Sequence, residues 1–84
     1  MMTDRVIDSE ILAALNIQRD FAMSEGLVVS TLTALDGRPV PPERVRNRLQ
    51  WLKDRGHLGC RTDDYGADLW FITEKGITHL QASR

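Results

Sequence analysis

The stretch Pro42-Glu43-Arg44-Val45-Arg46-Asn47-Arg48-Leu49-Gln50-Trp51-Leu52-Lys53-Asp54-Arg55-Gly56 decides how this chain is read. Val45, Leu49 and Leu52 stand at i, i+4 and i+7, the spacing of one helical face. The preceding Arg38-Pro39-Val40-Pro41 is a turn, because proline fixes φ and turns the residue before it away from helix. Pro42 can open the helix, where its missing N–H does no harm, and Gly56 stops it. The spacing therefore predicts a helix over 42–55. At about 100° per residue, the face opposite the apolar stripe carries Glu43, Asn47, Gln50 and Asp54. Arg46 and Lys53 flank one side, and Arg44, Arg48, Trp51 and Arg55 form a stripe along the other.

Towards the N-terminus, Ile11, Leu12 and Leu15 predict a first amphipathic helix. It is expected to start at Asp8 or Ser9, good N-cap types, and to run to about Ala22, leaving 1–7 as a flexible lead. Phe21 and Met23 are expected to close the core, and Ser24-Glu25-Gly26 is a break. Val28, Leu32 and Leu35 predict a second helix that ends at Asp36-Gly37, with Gly37 in the left-handed cap position. Beyond Gly56 the period changes. Leu58 to Thr62 and Leu69 to Thr73 read as strands joined by Asp63-Asp64-Tyr65-Gly66-Ala67, a hairpin with a longer loop. Trp70 and Ile72 share a face of the second strand and belong in the core. A short helix closes the chain near Glu74 to Leu80, with 81–84 as a flexible end.

With 84 residues and 9.5 kDa, the chain holds one small α+β domain, mostly helical. Hydrophobic residues at 42% and charged residues at 27% describe a folded chain rather than a disordered one. No apolar run approaches the roughly 18 residues of a membrane span, and the polar start lacks a signal-peptide core. The single Cys60 excludes an internal disulfide. The expectation is a soluble cytoplasmic protein. Net charge is only -1, but it is unevenly spread: Arg38 to Arg61 holds seven bases and two acids, and the rest holds four bases and ten acids. Such a chain can present one basic face while staying near neutral overall.

The order helix, helix, turn, helix, hairpin, short helix resembles a winged helix-turn-helix domain of the bacterial, archaeal and phage regulator type. Two stretches carry the resemblance. Val45-x3-Leu49-x2-Leu52-x3-Gly56-His57-Leu58 resembles a recognition helix and its exit into the first wing strand. Trp70-Phe71-Ile72-Thr73-Glu74-Lys75-Gly76 resembles the end of the wing. The resemblance implies a small sequence-specific DNA-binding protein, a transcriptional regulator with helix 42–55 in the major groove of double-stranded DNA. In that pattern the exposed positions early in the helix meet bases, here Arg44, Arg46, Asn47 and Gln50. Asn and Gln can pair with adenine and Arg with guanine. Arg38, Arg48, Lys53, Arg55 and Arg61 are the phosphate candidates, which position the helix without reading sequence. Such modules bind as homodimers, because one helix reads few base pairs. Helix 1 and any exposed part of Trp70 or Leu80 are candidate dimer surfaces.

Other features point elsewhere. The wing tip carries Asp63, Asp64 and Asp68, which phosphate repels. With Trp51 off the core face, they favour the alternative of a protein-interaction module anchored by Trp51 and nearby arginines. His57, Cys60 and His79 lack zinc spacing and a fourth ligand, so no metal is expected. Cys60 reads instead as a small hydrophobe in a strand. A Cys60–His57 pair has no orienting third group, and the aspartates lack the calcium-loop pattern. No Gly-rich phosphate loop is present. The chain is therefore read as a non-enzyme without cofactors.

Overall fold

Helix α1 (Asp4–Ile17) is capped by Thr3, whose Oγ1 accepts a hydrogen bond from the Val6 amide at 3.3 Å. The computed structural model describes residues 3–37 and 39–82. The Thr3 cap starts α1 earlier than Asp8 or Ser9, so residues 4–7 are helix rather than a flexible lead. The physical reason is Ile7, which extends the Ile11–Leu15 stripe by one turn and is fully buried. The helix also stops short of Ala22, leaving Phe21 72% exposed; Met23 closes the core without it.

Ser24 begins helix α2 (Glu25–Asp36), its Oγ accepting from the Leu27 amide at 3.2 Å. Val28 and Leu32 are fully buried, but Leu35, expected on the same face, is 61% exposed. Val40 takes the core position instead, its amide donating to Thr33 Oγ1. Gly37 sits at φ 73° and its amide closes the helix on the Thr33 carbonyl. Helix α3 (Pro42–Asp54) has Pro42 in its first turn and Val45, Leu49 and Leu52 buried, as the spacing requires.

The hairpin forms from β2 (Leu58–Thr62) and β3 (Asp68–Ile72), with helix α4 (Glu74–Ala82) after it. The region read as a break contributes a further strand, β1 (Met23–Ser24), and the sheet order is β1-β3-β2, all antiparallel. Met23 and Cys60 both face Trp70, so these three share the core side of the sheet. Trp70 and Leu80 are buried, which removes both from the candidate dimer surface. Two glycines sit in close approach, and at Gly76 it is against backbone, which requires glycine. The Phe71 ring lies where a Cβ on Gly59 would be, and the His57 carbonyl lies where one on Gly76 would be. Thr73 ties this corner together, donating to the Gly56 carbonyl at 2.6 Å and accepting from the Gly76 amide at 3.1 Å. One hydrophobic core runs through all the helices and the sheet.

Candidate nucleic-acid interface

Helix α3 turns its apolar stripe onto α1, α2 and the sheet, leaving Glu43, Asn47, Gln50 and Asp54 exposed on its outer ridge. Gln50 Nε2 donates to Asp54 Oδ1 at 2.9 Å along that ridge, and Asn47 stands between two flanks of bases.

The flank against α1 is a ladder of ion pairs. Arg44 donates to Asp4 Oδ1 from Nε at 3.3 Å and from Nη2 at 3.1 Å. Arg48 makes a bidentate pair with Asp8, Nε to Oδ1 at 2.8 Å and Nη2 to Oδ2 at 2.6 Å. Its Nη1 also lies 3.7 Å from Asp4 Oδ2. The Arg48 and Asp8 side chains are only 18% and 15% exposed. The hydrogen bonds to Asp8 hold the Arg48 guanidinium pKa above its ordinary value, with burial opposing and the two carboxylate charges adding. Arg48 also lies over the Trp51 ring at 4.2 Å, and Arg55 at 4.7 Å. Trp51 is 41% exposed, so it both covers the core edge and faces solvent.

On the other flank, Arg46 pairs with Glu25 in the first turn of α2, Nε to Oε1 at 2.8 Å and Nη2 to Oε2 at 3.0 Å. That hydrogen bonding raises the Arg46 pKa, again with the carboxylate charge adding. A cleft of about 500 Å³ opens beside the pair, between α2, α3 and the wing, lined by Glu25, Arg46, Gln50, Asp68 and Trp70. Lys53 and Arg55 have no carboxylate partner among the described residues.

The structure thus brings Arg44, Arg46, Asn47, Arg48, Gln50 and Lys53 onto α3 and Arg55 onto its C-cap, with their charges unequally committed. Arg61 is not gathered with them. It pairs with Leu69 in register, on the sheet face opposite the core. Arg38 lies outside the described residues. At the wing tip Asp63 is structural, its Oδ1 accepting from the amides of Tyr65 and Ala67 at 2.9 Å each. Asp64 is exposed.

At the C-terminal end of α3, His57 is buried and its ring stacks on His79 of α4, centroids 4.5 Å apart. Burial lowers the His57 pKa most, and the charges of His79, Lys75 and Arg55 lower it further, against a smaller opposing effect of Asp8.

Sequence reading missed the acids Asp4, Asp8 and Glu25. A signal for two of them was present: Asp4 and Asp8 are spaced i, i+4, as are Arg44 and Arg48, and the two pairs meet rung for rung.

No protein-family model and no curated protein matches the sequence. Solved structures do match. The chain is similar to RosR of H. salinarum, with a TM-score of 0.82 and 18% identity over 98% of this chain and 70% of that one. It is similar to an S. aureus MepR mutant bound to an oligodeoxyribonucleotide, with a TM-score of 0.76 and 17% identity over 90% of this chain and 52% of that one. It is also similar to a PadR family transcriptional regulator from Eggerthella lenta, with a TM-score of 0.70 and 21% identity over 87% of this chain and 66% of that one. In the RosR–S4 complex the chain spans 64% of the matched RosR chain's length. These likenesses establish the fold: the chain is a winged helix-turn-helix. Among the described residues no helix is long and apolar enough to cross a membrane.

Proposed function

We propose that this winged-helix chain is a DNA-binding transcriptional regulator that lays α3 in the major groove. One observation carries the reading. Asn47 and Gln50 stand on the exposed ridge of a helix flanked by Arg46 and Lys53 on one side and Arg55 on the other. A helix of this kind fits the major groove, with amide side chains suited to adenine and basic flanks suited to phosphate. The bound oligodeoxyribonucleotide in MepR, which has a like fold, supports the same reading.

In this proposal Asn47, Gln50 and Arg46 read bases, and Lys53 and Arg55 hold phosphates. Arg44 and Arg48, paired with α1, act chiefly by fixing the angle of α3 on the domain, and Arg61 stands apart from the groove. A single α3 covers few base pairs, so the cognate site is two half-sites bound by a homodimer.

Fluorescence anisotropy with a random duplex and with duplexes flanking the gene, each at two salt concentrations, tests this. Binding should weaken steeply with salt and favour a flanking sequence. Asn47→Ala should cost about 1–3 kcal/mol on that sequence and little on the random duplex. Lys53→Ala should weaken both alike and flatten the salt slope by about 0.9. A second reading draws on the exposed Trp51 and the acids of the wing tip, which suit a protein partner better than phosphate. Absence of binding to any duplex at low salt would select it, with Trp51→Ala the variant to test for lost partner binding.

A further inference from the structure

We propose that Glu25 is a negative determinant of DNA binding, holding the Arg46 guanidinium back from the groove. The inference rests on the reading of α3 as the DNA interface and concerns how that interface is restrained.

Both oxygens of Glu25 are engaged, by Nε and Nη2 of Arg46 at 2.8 and 3.0 Å. That guanidinium edge is one a guanine or a phosphate uses in bidentate recognition. DNA can therefore take Arg46 bidentately along this edge only by displacing Glu25. The pair lies in the open: the Arg46 side chain is 63% exposed and that of Glu25 28%. It is more exposed than the Arg48–Asp8 pair, whose side chains are 18% and 15% exposed. Glu25 lies in the first turn of α2, where the helix dipole favours its negative charge. It borders the cleft that separates α3 from the wing, across from Asp68. Among the described residues the cleft thus carries two carboxylates, and its one cation, Arg46, is already paired.

Glu25 thus lowers affinity for duplex DNA of any sequence through Arg46. Binding of a random duplex, followed by anisotropy across a salt series, tests this with the full chain, Glu25→Gln, Arg46→Gln, the double variant and Asp64→Asn. The last removes an exposed wing-tip charge remote from Arg46 and measures the general effect of losing one acid. Glu25→Gln should bind about two- to fivefold more tightly than the unsubstituted chain, beyond any gain in Asp64→Asn. Its salt slope should steepen by about 0.9, because on a random duplex, which lacks the cognate base, the released Arg46 meets a phosphate instead. Both gains should vanish in the Arg46→Gln background, as a double-mutant cycle requires of a direct coupling. A gain equal to that of Asp64→Asn, or one that survives without Arg46, overturns the role of Glu25 while leaving DNA binding by α3 intact. Absence of binding by every protein overturns the DNA reading itself, and this inference with it.

Discussion

The two flanks of α3 carry the same residue type in the same kind of bidentate pair and differ in what the pair is for. On the α1 flank, Arg48 and Asp8 are mostly removed from water and lie against Trp51. Much of their desolvation has already occurred in the folded state, so losing either partner leaves the other charge poorly solvated. On the α2 flank, Arg46 is mostly exposed and Glu25 partly so, and an ion pair in that setting adds little to stability and exchanges readily for another anion. Identical geometry therefore gives a structural tie on one side and a displaceable contact on the other. Burial makes the difference.

The severest way to break this contrast is to remove the support both flanks share. Leu49 is fully buried at the centre of the α3 stripe, and Leu49→Ala should cost about 2–5 kcal/mol of stability. In a domain of this size that lowers the unfolding midpoint by more than about 8 °C, readable by circular dichroism. An unchanged midpoint would mean that α3 packs by another face. A narrower cut separates the flanks. Asp8→Ala strands the half-buried Arg48 and should cost about 1–3 kcal/mol, between the values for exposed and buried pairs. Glu25→Ala should leave the midpoint close to that of the unsubstituted chain. Equal losses in the two variants would abolish the distinction.

The elements that were legible in the sequence are those whose signal is local. Helix α3 announces itself through Val45, Leu49 and Leu52 between Pro42 and Gly56, and the β2–β3 hairpin through its change of period. Strand β1 has only two residues, too few for a period, and exists because β3 offers its free edge to Met23 and Ser24. Phe21 reads as core by hydrophobicity and Leu35 by its helical spacing with Val28 and Leu32. Which apolar residues are left over is decided by competition, and Met23 and Val40 win those places. The site divides in the same way. Helical geometry sorts the residues of α3 into ridge and flanks. What it lacks is the partner across the interface: Asp4 and Asp8 are forty positions from the arginines they bind. A basic stretch read alone therefore overstates the charge that the folded surface can offer to DNA.

The smallest effect expected is one of pH, and it belongs to the α1 side of the molecule, where α3 runs out against α4. His57 is buried there, facing His79 and Lys75 of α4, Arg55 at the end of α3 and, more weakly, Asp8 of α1. Burial and those cations lower its pKa below the ordinary 6.5, so the unfolded chain takes up this proton at a higher pH than the folded one does. Folding stability from this residue is fully present above pH 6.5 and is lost as pH falls through that value towards the depressed folded pKa. Urea midpoints at pH 7.5, 6.5 and 5.5 should therefore decline for the unsubstituted chain. The decline should be shallower in His57→Gln, which cannot take up the proton. Glu25→Gln should keep the full decline, since the α2 flank lies away from this corner. If His57→Gln declines as steeply as the unsubstituted chain, the pH response comes from other groups, and burial of His57 near the end of α3 has no bearing on it.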